Sequence, residues 1–385
     1  MTRIPIAKPL FGEEELAAVQ EPLRSGWVVQ GPKVAEFEQR FARFTGATHA
    51  AATSNCTTAL HLAVAILGLQ PGDEVIVPAF TWVSTANVVE YMGAKPVFCD
   101  IDLATFNIDV GAIEALITPA TVGIIPVHLF GLCADMDPIV SIARKRGLWI
   151  LEDAACAFGG WYRGRHAGTL GDIGAFSFHP RKSITTGEGG MLTTASPAWD
   201  AEARSLRDHG ASRSDLARHE ASAAFLLAAY DELGYNYRMT DIQAAVGCVQ
   251  MDRAAYILGE RTRLARAYDE ALEDVPWLRP PVVPDGYQHG YQAYVTLFTP
   301  EESSASLHER RNALMTKLEQ RGIATRQGTH AAALTGYYRN KYAITPEQFP
   351  NAHLAEQLTL TLPLYAQMTS SEQDEVIAAL REFGP

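Results

Sequence analysis

One lysine and one aspartate stand out in this sequence by their type and surroundings. Lys182 follows the apolar stretch 176–178 and precedes a glycine-rich turn at 187–190. We expect such a lysine to be held with its amine partly desolvated, which favours the neutral, nucleophilic form that makes a Schiff base. Asp153 ends the apolar run 148–153. Each alone also fits an ordinary surface lysine or strand-end aspartate. Together they suit pyridoxal phosphate, whose aldehyde binds an amine and whose ring nitrogen prefers an anionic partner.

The elements that must position these two residues follow an alternating pattern. Apolar, strand-like runs at 74–78, 96–100, 122–130 and 149–153 are separated by helix-like runs that include 85–92 and 136–146. Strands that are apolar throughout and alternate with helices indicate a mainly parallel sheet covered on both faces. In such α/β folds ligands bind beyond the carboxyl ends of the strands, which is where Asp153 is expected.

The pattern changes in the last third of the chain. A long helical stretch at about 241–271 precedes a proline-rich break at 276–284. A strand candidate at 291–298 and helices at about 307–321 and 370–383 follow. We therefore predict a large domain over residues 1–249, which includes the N-terminal segment, and a small α+β domain over residues 250–385.

Composition narrows the classes of partner and compartment. The 385 residues carry 32 basic and 44 acidic side chains, for a net charge of −12, which argues against nucleic acid as a partner. The five cysteines have no close pairs, as expected for reduced thiols in a cytoplasmic protein. No spacing of cysteine and histidine indicates a metal site. No run of 18 apolar residues indicates a membrane span.

Motifs spread over nearly the whole chain carry a family resemblance. Ser177–Lys182 and the segment 153–159 (DAACAFG) resemble those of the DegT/StrS-type sugar aminotransferases, a branch of the fold-type I pyridoxal-phosphate enzymes. Further motifs follow in the family's order at 54–63, 72–78, 81–87, 234–241 and 362–365. The resemblance implies a fold-type I transferase: a large domain with a mainly parallel seven-stranded sheet and a smaller α+β C-terminal domain.

The resemblance also implies which residues hold the cofactor. The backbone of Cys56 and Thr57, with the Thr57 hydroxyl, and the Ser177 hydroxyl are implied to bind the phosphate. The first two begin a segment that also reads as a plain helix N-terminus, whose free amides suit a phosphate. Trp82 is implied to stack on the pyridine ring, although a tryptophan in an apolar run is more commonly a core residue.

Other site residues in the resemblance involve the substrate or a second subunit. In similar enzymes the residue that matches Asn236 reaches the cofactor phosphate of the partner chain, so a homodimer with shared active sites is implied; whether dimers pair into tetramers stays open. Trp27, Arg238 and His330 match segments on the substrate side, and each also fits a structural role. Cys156 stands where relatives often carry His or Gln near the ring hydroxyl, so its role stays open.

The function that the resemblance implies is transamination. L-glutamate would give its amino group to a nucleotide-linked keto-deoxysugar at carbon 3 or 4, with pyridoxamine phosphate as the intermediate form. Lys182 would move the proton, and Asp153 would keep the ring nitrogen protonated. One alternative acceptor is a keto-cyclitol of the aminoglycoside type. The sugar 3-dehydratase branch has histidine in place of the lysine, so Lys182 argues against it. A non-catalytic regulatory protein would need a DNA-binding segment, and the sequence offers no basic region for one.

Overall fold

The computed structural model describes residues 3–212, 228–300 and 306–384. Within them the α-helices are α1 (Glu13–Ala18), α2 (Gln20–Ser25), α3 (Pro32–Thr45), α4 (Cys56–Ile66), α5 (Ser84–Tyr91), α6 (Val110–Leu116), α7 (Met136–Arg146), α8 (Pro197–Leu206), α9 (Asp241–Asp252), α10 (Ala254–Leu272), α11 (Leu307–Gln320), α12 (Gly336–Tyr342), α13 (Pro350–Leu358) and α14 (Ser370–Phe383). The strands are β1 (His49–Thr53), β2 (Glu74–Pro78), β3 (Lys95–Cys99), β4 (Thr121–Ile124), β5 (Trp149–Asp153), β6 (Trp161–Tyr162), β7 (Arg165–His166), β8 (Ile173–Ser177), β9 (Gly190–Thr194), β10 (Leu278–Arg279), β11 (Tyr287–Gln288), β12 (Tyr294–Phe298) and β13 (Thr359–Leu362).

A seven-stranded sheet forms the centre of the N-terminal part. Its strand order is β1-β9-β8-β5-β4-β2-β3, and every pair from β8 to β3 is parallel, while β9 runs antiparallel to both of its neighbours. Successive residues of a strand face opposite sides, so Ile150 packs into one core and Leu151 into another. The α/β architecture with a mainly parallel sheet is thereby confirmed.

The strand predicted over 122–130 is wrong in its length. β4 ends at Ile124, and Pro126 follows, which has no N–H to continue the ladder. The chain then turns through a 3₁₀ segment, Leu129–Gly131, in which Phe130 has a left-handed φ of 59°. The apolar side chains of this turn are buried, and burial rather than a strand explains their hydrophobicity.

The reversed strand β9 brings its first residue to the carboxyl edge of the sheet. Gly190 lies between Thr53 at the end of β1 and Ser177 at the end of β8. A Cβ atom on Gly190 would lie 2.4 Å from the backbone carbonyl of Asn55, directly before α4. Only glycine allows this close approach of two backbone segments.

The C-terminal part has its own small sheet and core. Strands β10, β12 and β13 form an antiparallel sheet, and α10, α11 and α14 contribute to a third apolar core. The single long helix expected at 241–271 is two helices, α9 and α10, which meet at Arg253. The domain boundary at 249/250 falls inside α9 and stays a prediction. None of the helices in the described ranges is both long and apolar enough to cross a membrane.

A polar cluster joins the two parts of the molecule. Glu90 on α5 accepts a hydrogen bond of 2.6 Å from the Tyr342 hydroxyl and lies 2.5 Å from Lys341 Nζ, both near the end of α12. Tyr338 of the same helix donates to Asn87 Oδ1 at 2.6 Å. These contacts fix α5, which follows Trp82, against α12, which follows His330.

Candidate active site

Lys182 lies in the connection between β8 and β9, at the carboxyl edge of the large sheet. The connection is held by its own backbone, since Phe178 N donates to Gly189 O at 2.8 Å and Lys182 N donates to His179 O at 2.8 Å. The amine of Lys182 points inward, where its Nζ atom lies 3.1 Å from Cys156 Sγ. Cys156, whose role the sequence analysis left open, is thus a direct neighbour of the amine.

Within the chain itself, the pKa of Lys182 is not lowered as the sequence analysis expected. Burial does disfavour the ammonium charge, but interactions with Cys156, Cys56 and Asp153 outweigh it, and the pKa of Lys182 is raised. Only the neutral form of the amine acts as a nucleophile.

Asp153 is the last residue of β5 and is only 3% exposed. Its Oδ2 atom accepts a hydrogen bond of 2.7 Å from the Thr85 hydroxyl, and its Oδ1 atom accepts one of 3.1 Å from Ala155 N. Burial nevertheless raises the pKa of Asp153, against the lowering effects of Thr85, Ala155, Lys182 and His128. A buried carboxylate in this condition is stabilised by a further cationic donor, which a protonated pyridine nitrogen supplies.

Thr85 is a site residue that the sequence reasoning missed. It lies in the first turn of α5, where its hydroxyl is also 3.1 Å from that of Thr81. Thr81 precedes the helix and Thr85 lies in its first turn, so the two hydroxyls meet through the bend that leads into α5 and not through helical spacing. Only the tertiary structure shows that the Thr85 hydroxyl meets Asp153.

The start of α4 offers unpaired backbone donors. Asn55 caps the helix, and its Oδ1 atom accepts from Thr58 N at 2.9 Å. In the part of the chain that the structure describes, Cys56 N and Thr57 N have no acceptor. Burial raises the pKa of the Cys56 thiol well above its usual value, so this side chain stays neutral beside an anion. Free amides at a helix N-terminus fit a phosphate group.

Ser177 lies at the same edge as the start of α4. It pairs across the sheet with Gly190, and Gly190 in turn packs directly against Asn55 and Cys56. The Ser177 hydroxyl accepts only a long contact of 3.4 Å from His179 N. The chain therefore brings Lys182, Asp153, Cys56, Thr57 and Ser177 to one edge of one sheet, as the sequence predicted.

Trp82 and His330 form an aromatic pair beside this edge. Their ring centroids are 5.8 Å apart, and Thr81 N donates to His330 O at 3.0 Å. The Trp82 residue is 59% exposed, so its ring is not a core residue and has surface free to cover a ligand. Its stacking on a cofactor stays a prediction, and so does the role of His330 toward a substrate.

The other predicted residues lie in less direct positions. Asn236 is exposed, and its backbone bridges to Asp208, so its side chain projects from this chain's surface. Arg238 forms an ion pair of 2.6 Å with Asp208. The Trp27 indole donates to the Gln30 carbonyl at 3.2 Å. Their predicted contacts with phosphate or substrate are not tested by one chain.

The comparison with protein families explains this arrangement. The model of the DegT/DnrJ/EryC1/StrS aminotransferase family matches residues 9–381. The chain belongs to this family. Its members are aminotransferases, and the lysine, aspartate and free helix N-terminus at one sheet edge are the parts that such an enzyme needs to use pyridoxal phosphate.

Similar proteins agree with this membership. The chain is 39% identical over 380 residues to the spore coat polysaccharide biosynthesis protein SpsC of Bacillus subtilis, which covers 99% of this chain and 97% of SpsC. The solved structure of Spr1654 from Streptococcus pneumoniae in its PMP form has a TM-score of 0.92 at 30% identity and covers 99% of both chains. Helicobacter pylori PseC, an aminotransferase involved in the biosynthesis of pseudoaminic acid, has a TM-score of 0.89 at 25% identity and covers 99% of this chain and 98% of PseC.

The cofactor of this enzyme is pyridoxal phosphate. The residues present fit that group by their chemistry: an amine for its aldehyde, a buried carboxylate for its ring nitrogen and free N–H donors for its phosphate. Gly190 leaves room where a Cβ atom would press into the start of α4. The fold-type I architecture predicted from the sequence is confirmed.

Proposed function

We propose that this aminotransferase transfers the amino group of L-glutamate to a nucleotide-linked keto-deoxysugar at carbon 3 or 4. The observation that carries the proposal is the convergence of Lys182, Asp153 and the free amides of α4 at one edge of the sheet. The sugar acceptor is supported by the relatives, because SpsC is named for polysaccharide biosynthesis and PseC for pseudoaminic acid biosynthesis.

The residues of this chain would divide the binding of the cofactor among them. Lys182 Nζ is the amine that would bind the aldehyde, and Cys56 N, Thr57 N and the Ser177 hydroxyl would hold the phosphate. Asp153 would hold the proton on the ring nitrogen, and Thr85 orients the Asp153 carboxylate for that contact. When bound, pyridoxal phosphate reacts with amines and accepts the electrons left at the amino carbon when its proton departs.

Lys182 has a second role in this proposal, as the group that moves a proton. With glutamate bound, the amine of Lys182 would be a free base beside the reacting carbon. Transamination needs one proton to leave the amino carbon and another to arrive at the neighbouring carbon, and a single mobile amine on one face can serve both. The contact of 3.1 Å between Lys182 Nζ and Cys156 Sγ would hold the free amine within the site.

We further propose that the enzyme is a homodimer in which Asn236 reaches the cofactor phosphate of the partner chain. The exposed position of Asn236, close in sequence to a main-chain contact between Ser54 N and Tyr237 O of 2.8 Å, supports this role. The test mixes inactive Lys182→Ala chains with impaired Asn236→Ala chains. If the site is shared, each mixed dimer has one doubly damaged site and one intact site, so mixing restores activity. Mixtures that stay inactive despite proven subunit exchange would contradict a shared site.

The substrate is tested directly by incubating the purified enzyme with glutamate and a panel of nucleotide keto sugars. We expect formation of 2-oxoglutarate together with one aminated nucleotide sugar. Keto-cyclitols belong in the same panel as the competing acceptor class. Amination of a keto-cyclitol alone, with every nucleotide sugar left unchanged, would contradict the proposed acceptor.

We also propose a reducing, cytoplasmic compartment. The five cysteines are all free in the structure, and four of them are buried. Free thiols in this number fit a compartment in which disulfides do not persist. The location is checked by fractionation of cells that produce the protein.

A further inference from the structure

Two arginines, on the segments that carry Lys182 and His330, have no carboxylate partner among the described residues. Arg181 directly precedes Lys182, and Arg326 belongs to the segment that continues to His330; both arginines are exposed. No ion pair or side-chain hydrogen bond of either guanidinium occurs among the described residues.

Tertiary contacts bring the two arginines together across 145 positions of sequence. Gln292 Nε2 donates to Arg181 O at 2.8 Å and thereby ties the lysine segment to the start of β12. Val295 of β12 pairs with Thr361 of β13. Thr361 N in turn donates to Arg326 O at 2.6 Å, so Arg326 extends the same small sheet.

The two positive charges affect each other directly. The pKa of Arg326 is lowered by partial burial and by repulsion from Arg181. Two carboxylates on neighbouring segments face other groups: Glu356 lies 3.6 Å from His330 Nδ1, and Glu188 raises the pKa of His179 against its burial. Two like charges held near each other favour an anion that can contact both.

We propose that Arg181 and Arg326 together bind the diphosphate group of a nucleotide-linked substrate, a proposal that rests on the proposed function. Guanidinium groups form paired hydrogen bonds with phosphate oxygens, and a diphosphate has enough charge and oxygen atoms for two of them. The position also fits. The amine of Lys182 points inward and the arginines lie outside it, so an anion at the arginines is separated from the reacting carbon by a group such as a sugar ring.

The first measurement is binding of UDP, dTDP, GDP and CDP to the cofactor-loaded enzyme by titration calorimetry, which does not depend on turnover. We expect at least one of them to bind the wild type. Arg181→Gln and Arg326→Gln should each raise its Kd by about tenfold, as expected for loss of a charge-assisted pair of hydrogen bonds. Arg181→Lys and Arg326→Lys should lose less. Arg43→Gln is the matched control, because Arg43 is an exposed arginine that lines a separate cavity beside His166.

The second measurement separates the two substrates. Rapid mixing with glutamate alone should give the same half-reaction rate in the wild type and in both Gln variants, while KM for the nucleotide sugar rises. A raised KM for glutamate with an unchanged Kd for the diphosphates would show that the arginines bind the carboxylate of glutamate, and this would overturn the proposal. So would failure of every diphosphate to bind the wild type, or loss of the dimer in the Gln variants, which would make the arginines an interface between chains. If diphosphates bind through the arginines but no keto sugar is aminated, the proposed function fails while this site stands.

Discussion

Glu152 and Asp153 are adjacent carboxylates at the end of β5, and they face opposite sides of the sheet. Both are buried, at 0% and 3% exposure. Glu152 accepts hydrogen bonds from three backbone amides, those of Gly168 at 2.7 Å, Leu170 at 2.6 Å and Gly171 at 2.5 Å. Within the described residues, Asp153 accepts hydrogen bonds only from the Thr85 hydroxyl and the Ala155 amide.

Glu152 has a fourth partner, and its identity can be fixed. His128 Nδ1 accepts a hydrogen bond from Ala134 N at 3.1 Å, so its Nε2 atom carries the proton and donates to Glu152 at 2.7 Å. The carboxylate of Glu152 is thus fully enclosed by donors from its own chain. A buried carboxylate whose hydrogen-bond donors all come from its own chain, such as Glu152, has a structural role. A buried carboxylate with fewer donors, such as Asp153, can accept a further one from a ligand.

The largest expected effect is that of Lys182→Ala, on the Asp153 side of the strand. Loss of the amine removes both the anchor and the proton carrier, so transamination should fall to background while the fold is retained. Circular dichroism and a coupled assay for 2-oxoglutarate measure the two properties. In the wild type, borohydride reduction of the loaded enzyme followed by peptide mapping should label residue 182. A label on another lysine would contradict the assignment.

Asp153→Asn should come next and should affect turnover rather than stability. The amide keeps the shape and the bond to Thr85 but loses the charge that holds the ring proton, at a cost of about 3–4 kcal/mol in the barrier, or about 10²–10³-fold in kcat. The free energy of unfolding should change by less than about 1 kcal/mol, because burial already disfavours this charge and raises the pKa of Asp153. Near-normal turnover in this variant would contradict the functional role assigned to the Asp153 carboxylate.

Glu152→Gln should affect stability rather than turnover. The variant replaces a charged acceptor of four hydrogen bonds by a neutral amide whose NH₂ group faces donors, at a cost of about 3 kcal/mol of stability. Urea unfolding measures this loss, and kcat of the fraction that remains folded should be within about threefold of the wild type. A stable but inactive Glu152→Gln enzyme would show that both carboxylates serve the chemistry.

The smallest effect concerns His166, which lies near Glu152 on the structural side. Burial, opposed by its bond to the Ala167 carbonyl and by Glu152, lowers the pKa of His166 to about 4. The folded state thus holds the neutral ring, and its stabilising contribution is complete above the unfolded pKa of about 6.5 and is lost as pH falls toward 4. Between pH 7.5 and 5.5 this group should cost about 1.4 kcal/mol of unfolding free energy. The pH dependence of His166→Gln, compared with that of the wild type, should be shallower by that amount; equal slopes would contradict the assignment.

Much of the fold and of the candidate site followed from local pattern. The strand 149–153 and the helices 136–146 and 370–383 match the structure at both ends, because apolar runs and helical spacing are local signals. Asp153 was predicted at a strand end for the same reason. The strand at 122–130 failed because a buried turn with Phe130 at positive φ is as apolar as a strand.

The parts that could not be predicted depend on contacts between distant segments. The bond from Thr85 to Asp153 spans 68 positions and depends on how α5 packs on the sheet. The raised pKa of Lys182 depends on Cys156 and Cys56, which come from two other segments. Sequence patterns indicate which residues could carry the chemistry. The pKa values of those residues depend on neighbours from distant segments, which local patterns do not predict.

The contacts of Glu90 have a consequence for the pair of aromatic rings at the active site. They fix the helix behind Trp82 to the helix behind His330, and the two rings lie side by side. Because these contacts hold each helix, we expect the two rings to keep their spacing when a ligand binds. If Trp82 and His330 contact the cofactor or a substrate as predicted, both reactants must fit beside the same fixed pair of rings.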